Sequence, residues 1–397
     1  MNKTKIGTTL LHTASSHDIK KEEGRVSVPQ NIPLYLSSVY AFDTVDDYEL
    51  LISGKTDSFA YARSNTPNTQ AVEEIMTNIE HGEAALSFSS GMSAIVSTIL
   101  SFVKAGDHIV SSPVIYGATW DFFENELKKY GIEVTFANFN ADDLESAIRP
   151  NTKLLYTETI ANPTMEVADI PYASKIAKLH NLKLIVDNTF ATPVFVNVLD
   201  LGADIVLYSA TKYLSGHSDL VGGVVVGNKT DVLSIKRTRT LFGGIMEPFT
   251  AWLLTRSLRT LELRTFRQCE NAKEIANYLY NHPKVKRTFY PGLESSPSYD
   301  LANKLFLNHL YGGMISFDLE DGASAEKFIA NLDYIKFAPS LAGIETTISY
   351  PVKTSHRAFS KAQLEKASIS DGTLRLSVGA ENVEDIINEI DVALQKL

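Results

Sequence analysis

Ser209-Ala210-Thr211-Lys212-Tyr213-Leu214-Ser215-Gly216-His217 follows the apolar run 204–208, and Ile185-Val186-Asp187-Asn188-Thr189 closes the run 182–186. Short runs of this kind, bounded by polar turns, read as buried strands. A lysine, Lys212, and a carboxylate, Asp187, therefore fall near the carboxyl ends of two sheet strands. Open α/β sheets bind their ligands at that edge. Taken singly, the two residues would be a surface lysine and a helix-capping aspartate. The segments around them argue for more.

The same pattern recurs along the chain. Strand candidates lie at 84–88, 108–112, 133–137, 153–157, 182–186, 204–208 and 223–226, with helical stretches between them. Strands alternating with helices imply parallel βαβ crossovers. Residues 61–255 are thus predicted to form an α/β unit on a mostly parallel, seven-stranded central sheet. Residues 1–60 carry scattered Pro, Ser and Asp with little periodicity and read as an N-terminal arm. A long helical pattern begins at Ala251, with Trp252, Leu253, Leu254, Leu258, Leu261 and Leu263 punctuated by Arg256, Arg259, Arg264 and Arg267. Beyond it, His282-Pro283, Pro291-Gly292, the strand-like run 314–319 and the amphipathic stretch 383–397 predict a smaller α+β C-terminal domain, 256–397.

Composition narrows the function. A chain of 397 residues, 44% hydrophobic and 21% charged, can bury the cores of two or three ordinary globular domains. A net charge of -10 without any basic run argues against nucleic acid as a partner. The single cysteine, Cys269, excludes an internal disulfide framework and a multi-cysteine metal site, and no metal is expected. Residues 84–103 carry no charge and imitate a membrane span. Ser89-Ser90-Gly91 in their middle is a turn signal, so they read as strand, turn and buried helix. Met1-Asn2-Lys3-Thr4-Lys5-Ile6-Gly7 lacks the apolar stretch of a signal peptide. A cytoplasmic protein with no membrane partner is expected.

The turn Ser89-Ser90-Gly91-Met92-Ser93 joins a strand to a helix. Backbone N–H groups and the helix dipole at such a junction attract an anion, and Gly91 lets the backbone come close to it. A simple helix cap is the plainer interpretation. Ser209 and Thr211 place two more hydroxyls beside Lys212. A lysine can form a Schiff base with an aldehyde, and a carboxylate can keep a pyridine nitrogen protonated. With two hydroxyl-rich turns for a phosphate, the combination suits pyridoxal 5'-phosphate, PLP. Tyr116, in Val114-Ile115-Tyr116-Gly117-Ala118-Thr119, follows a strand end and can stack on a planar ring or carry a proton, unless it is a half-buried core tyrosine. Asn162 precedes Pro163 and is held extended. Its amide can reach a ring oxygen, unless the pair only makes a turn.

These segments resemble the Cys/Met-metabolism family of PLP enzymes, the fold type I transsulfuration group. The resemblance runs through Tyr61-Ala62-Arg63, Ser90-Gly91-Met92, Tyr116-Gly117, Glu158-Thr159 to Asn162-Pro163, Val186-Asp187-Asn188-Thr189, Ser209-Ala210-Thr211-Lys212-Tyr213 with Gly216-His217, Ser340-Leu341 with Glu345, and Arg375-Leu376-Ser377-Val378-Gly379. It implies that Lys212 carries the cofactor, Asp187 pairs with the ring nitrogen and Tyr116 stacks on the ring and moves protons. Ser90, Gly91, Met92, Ser209 and Thr211 would hold the phosphate. Tyr61 and Arg63 would reach the phosphate of a neighbouring subunit, which implies a homotetramer built as a dimer of active dimers. Arg375, with Asn162 and Ser340, would hold the α-carboxylate of a small amino-acid substrate. A planar guanidinium can grip a carboxylate bidentately, whereas the bland alternative for Arg375 is a surface salt bridge.

The resemblance implies a carbon–sulfur γ-lyase of the methionine or cystathionine type, giving a 2-oxo acid and ammonia. The alternative is γ-replacement on an O-acyl homoserine. The chain departs from the family in places. Thr66-Pro67-Asn68 stands where Asn-Pro-Thr is usual. Ala118 and Arg239-Thr240 replace a cysteine and a Lys-Asp pair usual in methionine γ-lyases. Pro339 stands where many cystathionine-processing members carry a glutamate.

Overall fold

A computed structural model describes residues 4–14, 29–140, 143–357, 359–366 and 368–397. Met1-Asn2-Lys3 of the N-terminal stretch lie outside them. Among the described residues seven strands form the central sheet: β1 Ala84–Phe88, β2 His108–Ser111, β3 Glu133–Phe136, β4 Thr152–Glu158, β5 Lys183–Asp187, β6 Ile205–Ser209 and β7 Gly223–Gly227. Their order is β1-β7-β6-β5-β4-β2-β3. Only β7 runs against its neighbours; the pairs β3–β2, β2–β4, β4–β5 and β5–β6 are parallel. The α/β fold with a mostly parallel seven-stranded sheet is as the sequence predicts.

A strand turns successive side chains to opposite faces. The two packed cores divide accordingly. Leu155, Leu184, Val186, Val206, Tyr208, Val224 and Val226 fill one. Leu154, Tyr156, Ile185, Ile205, Leu207 and Val225 fill the other. Both faces are covered, which is why these strands read as continuous apolar runs rather than alternating ones. Residues 84–103 become strand β1 and the helix Gly91–Phe102, as their turn signal predicts, and no helix among the described residues is long and apolar enough to cross a membrane.

Among the described residues the second sheet has five strands: β8 Arg287–Phe289, β9 Met314–Asp318, β10 Lys336–Phe337, β11 Thr347–Ser349 and β12 Thr373–Ser377, in the order β10-β11-β12-β9-β8. The helix Val383–Gln395 buries Ile386, Ile390 and Leu394 on its apolar side. The long helical pattern is in fact two helices, Pro248–Leu258 and Leu261–Tyr280. The first starts before Ala251 because Glu247 caps the N–H groups of Phe249 and Thr250 and Pro248 takes the first turn. The break is satisfied: the Ser257 carbonyl accepts from the Thr260 backbone at 3.1 Å and from Arg264 Nη2 at 3.0 Å. Leu263, counted in the apolar pattern, points to solvent at 72% exposure. Residues 15–28 of the predicted N-terminal arm also lie outside the described residues; its described parts include short helices, Ile6–His12 and Val45–Ile52.

The exchanged order Thr66-Pro67-Asn68 has a local reason. Thr66 caps the helix Pro67–Ile79 and forms a reciprocal capping box with Thr69. Asn68 then clips the arm, accepting from the Tyr35 N–H at 2.8 Å and donating to the Pro33 carbonyl at 2.9 Å. Arg239 is a second anchor, 2% exposed. It donates to Glu73 at 3.0 Å, to the Ser87 carbonyl at 2.8 Å and to the Ser64 carbonyl at 2.8 Å. It ties β1, the helix Pro67–Ile79 and the loop carrying Tyr61 and Arg63 together. Removing one partner of a buried ion pair strands the other. Arg239→Met should therefore cost about 3–5 kcal/mol of stability. Adding Glu73→Gln should recover part of that loss. Denaturant unfolding measures both, and a loss for Arg239→Met below about 1 kcal/mol would show that the anchor does not matter.

Candidate active site

The carboxyl ends of β4, β5 and β6 open on a cavity of about 260 Å³. The turn before the helix Gly91–Phe102 forms one wall, and the loop Pro339-Ser340-Leu341 with Arg375 of β12 forms another. Ser90, Gly91, Met92, Tyr116, Asn162, Asp187, Ser209, Thr211, Lys212, Ser340 and Arg375 all line it. Residues far apart in sequence meet there because the second sheet delivers Ser340 and Arg375 to the edge of the first. Tyr61 and Arg63 do not join them. Both are exposed, Arg63 sits over the Tyr61 ring at 5.5 Å, and its Nη1 donates to the Thr240 carbonyl at 3.2 Å. A roomier groove of about 980 Å³ beside Tyr61 holds none of the other predicted residues.

Burial sets the electrostatics. Lys212 Nζ donates to Ser340 Oγ at 3.0 Å. Burial, and then the Arg375 charge, lower the amine to about 8. A buried charge loses hydration and its neutral form gains. Asp187, 8% exposed, is raised by burial to about 6, while the Thr189 hydroxyl and N–H pull it back, the N–H at 2.9 Å. Arg375 is 3% exposed and burial brings it down to about 10. Its Nη1 donates to Asn162 Oδ1 at 2.7 Å, and its Nε has no partner. Arg375 is thus no surface salt bridge. Behind Asp187, the Asn188 side chain donates to Tyr208 Oη at 2.8 Å and to the Val196 carbonyl at 3.0 Å, and accepts from Thr159 at 2.7 Å. The Tyr208 hydroxyl in turn donates to the buried Glu80 carboxyl.

The turn at Gly91 has two jobs. Ser90 Oγ caps the Ser93 N–H at 3.0 Å and the Ser90 carbonyl accepts from the Ala94 N–H at 3.1 Å. The first N–H groups of a helix have no acceptor within it, so those of Gly91 and Met92 are available to an anion. Glycine is needed here for Ser209. A Cβ on Gly91 would lie 2.8 Å from Ser209 Cβ and 2.9 Å from its Oγ. The Thr211 hydroxyl accepts from the Gly222 N–H at 3.0 Å, which ties the lysine turn to β7. An amine, a buried carboxylate, free N–H groups, hydroxyls and a guanidinium with an unpartnered Nε make a donor set that fits PLP and an amino-acid carboxylate.

The sequence reading passed over several groups in the wall. Glu158 stands in the stretch Glu158-Thr159 to Asn162-Pro163 without a role of its own there. It is 8% exposed, and its Oε1 accepts from the Tyr116 backbone N–H at 2.6 Å. A carboxylate closing a buried strand was the available signal. Ser355 also lines the cavity, and His356 beside it is held to about 4 by burial and by the Arg375 charge. No local pattern marks either. They arrive on a loop of the second sheet, whose Ser355 carbonyl would be 2.1 Å from a Cβ on Gly117.

An amine held near 8 is neutral, and nucleophilic, above that pH. In the cofactor-free protein Lys212 should therefore react with an amine-acylating reagent ahead of the other lysines, with a rate rising through pH 8. Peptide mapping after brief labelling measures this. Labelling of Lys212 that rises only near the ordinary lysine value of about 10.4 would contradict the lowered amine.

Comparison with known proteins bears on these residues. Residues 7–395 match the Cys/Met metabolism PLP-dependent enzyme family. The chain is 42% identical over 370 residues to an L-methionine gamma-lyase of Porphyromonas gingivalis, covering 92% of each protein. Its fold superposes with a TM-score of 0.90 and 34% identity on a cystathionine gamma-lyase of Lactobacillus plantarum solved with L-serine, over 99% of each chain. A TM-score of 0.94 with 28% identity relates it to a putative O-acetylhomoserine (thiol)-lyase of Campylobacter jejuni solved with N'-pyridoxyl-lysine-5'-monophosphate, over 99% of this chain and 100% of that one. With nearly its whole length matched, the chain belongs to the Cys/Met metabolism family of PLP-dependent enzymes.

Proposed function

We propose that the protein is a PLP-dependent carbon–sulfur γ-lyase that converts a small sulfur amino acid to a 2-oxo acid, ammonia and a thiol. The observation that carries this reading is the meeting of Lys212, Asp187 and Arg375 on one cavity in a chain of this family. Its relatives named L-methionine gamma-lyase and cystathionine gamma-lyase support it.

Lys212 is the attachment point for the aldehyde, and Asp187 holds the proton of the ring nitrogen. Gly91, Met92, Ser90, Ser209 and Thr211 hold the phosphate. Bound there, PLP supplies an electron sink for the electrons released at the substrate Cα. Arg375, oriented by Asn162, grips the α-carboxylate, with Ser340 beside it. The Lys212 amine, with its lowered pKa, takes the proton from Cα. Tyr116 stands at the mouth, 44% exposed, and serves proton transfer towards the γ-substituent. Loss of a Cβ proton, expulsion of the γ-substituent as a thiolate and hydrolysis would then give the 2-oxo acid, ammonia and the thiol. Capture by a thiol instead would give γ-replacement, the second reading, favoured by the likeness to the O-acetylhomoserine (thiol)-lyase.

Tyr61 and Arg63 act across a subunit boundary in this proposal, in a cytoplasmic homotetramer of paired active dimers. Their exposure supports it, as do Leu241 and Phe242, each 72% exposed beside the Thr240 carbonyl that Arg63 holds. Apolar groups in such clusters mark protein contacts.

The distal wall includes Pro339, Leu341, Ile160, Phe190 and Val221. Asp46 and Asp47 lie in the first turn of Val45–Ile52 and do not line this chain's cavity. An ammonium there would lose hydration without gaining a partner from these apolar groups. Uncharged γ-substituents, as in methionine or homocysteine, should be preferred to cystathionine. Pro339→Glu should move the ratio of kcat/KM values towards cystathionine. A wild-type protein turning over cystathionine about tenfold faster than every uncharged substrate, a difference of about 1.4 kcal/mol, would sink this pocket assignment.

The cofactor and subunit assignments are tested separately. Borohydride reduction and peptide mapping should place the pyridoxyl group on Lys212, and a label on another lysine refutes that role. Arg63→Ala and Lys212→Ala proteins, each nearly inactive, should regain partial activity on co-refolding. An active monomer would rule out the shared site.

A further inference from the structure

Glu158 is the one buried carboxyl of the cavity that the mechanism above leaves without a task. It ends β4 in register with Asp187, which ends β5. Parallel partners in register face the same way, and both carboxyls line the cavity. Glu158 Oε1 accepts from the Tyr116 backbone N–H at 2.6 Å. Tyr116 is otherwise held through its carbonyl, which accepts from the Trp120 N–H at 2.9 Å. It begins the short helix Gly117–Asp121 with no side-chain cap, and its ring is 44% exposed. On the far side, Gly117 abuts the Ser355 carbonyl so closely that a Cβ would not fit. The backbone of Tyr116 is thus clamped between Glu158 and the loop of the second sheet.

We propose that Glu158 is a positioning residue of the reaction: one carboxyl, set beside Asp187, holds Tyr116 in place through its backbone N–H, so that the groups serving the ring nitrogen and the ring face are aligned together. This rests on the PLP reading given above. Charge is arranged to suit it. Burial, and then the Asp187 carboxylate, push Glu158 well above the usual carboxylate range, while the Tyr116 N–H and Arg375 pull the other way. Two adjacent buried carboxyls do not both ionise readily. Ionisation of Asp187 at the ring nitrogen therefore opposes ionisation of Glu158.

The position is demanding in length as well as polarity. Aspartate keeps the acid but falls short of the Tyr116 N–H. Glutamine keeps the reach and the acceptor oxygen but cannot ionise. Leucine keeps the bulk and loses the acceptor, leaving a buried N–H unpaired.

The experiment uses the purified holoenzyme with methionine as substrate, reading kcat and KM separately, the absorbance maximum and dissociation constant of bound PLP, and the unfolding midpoint. Glu158→Leu and Glu158→Asp should each lower kcat by about ten- to hundredfold, the loss expected for one hydrogen bond to a charged or acidic group, with KM changed by less than about threefold. Glu158→Gln should recover at least about tenfold of the activity that Glu158→Leu loses. Tyr116→Phe should cost much less in the Glu158→Leu or Glu158→Asp background than in the wild type, because residues acting through one another are not additive. If Glu158→Leu does not fold, the aspartate variant carries the same cycle. Additive losses, a glutamine variant no better than leucine, or an effect confined to KM would each overturn the proposal. PLP attached to Lys212 of the wild-type protein together with any of these results overturns the role of Glu158 alone. Wild-type protein that takes up no PLP overturns both.

Discussion

Charged groups are costly to bury, and this protein buries four of them around one small cavity. Lys212, Asp187, Glu158 and Arg375 each lose hydration there, and each shifts towards its neutral form. No pair among them forms a plain salt bridge. They are held instead by neutral partners: Ser340 for Lys212, the Thr189 N–H for Asp187, the Tyr116 N–H for Glu158 and the Asn162 amide for Arg375. The arrangement leaves the charges poised for a charged ligand rather than spent on one another.

The scaffold answers to this demand. A parallel sheet covered on both faces leaves little room for unpaired polar groups within it, and the ends of β4, β5 and β6 carry Glu158, Asp187 and Ser209. Two buried arginines then lock the loops that carry the site. Arg264 donates to the carbonyls of Tyr213 at 3.0 Å and Leu214 at 3.3 Å, just after Lys212. It packs so tightly on Gly216, which has a φ of +70°, that no side chain could stand there. Arg239 does the same for the loop of Tyr61 and Arg63. The arginine that stands where methionine γ-lyases carry lysine is therefore a structural fork with three acceptors, which a lysine's single ammonium could not match in the same geometry.

Much of the site was legible because each feature is local. Ser209 to Lys212 and Val186-Asp187 announce strand ends by an abrupt change from apolar to polar residues, and Gly91 announces a turn. Arg375 was legible only through the family resemblance; its own neighbourhood, Thr373–Ser377, is an ordinary buried strand. Glu158 is less legible, since a carboxylate closing a strand has many uses. Ser355 and His356 had no signal at all. The break at Arg259-Thr260 was missed because the apolar period continues across it, and only the hydrogen bonds of Ser257 and Arg264 show that the helix stops.

By itself the sequence determined the strands, the mostly parallel character of their sheet, the turn at Ser90-Gly91 and the placing of Lys212 and Asp187 near strand ends, because these depend on periodicity and on neighbours within a few residues. Tertiary structure alone decided which groups share the cavity. It brought Arg375 and Ser340 from the second sheet onto Lys212 and Asn162, aligned Glu158 with Asp187 and set its carboxyl against Tyr116, and kept Tyr61 and Arg63 out at the surface. The physical reason is that desolvation and hydrogen bonding act through space. The lowered pKa of Lys212, the raised pKa of Glu158 and the exposure of Arg63 follow from what packs against them, and nothing in a run of adjacent residues encodes that.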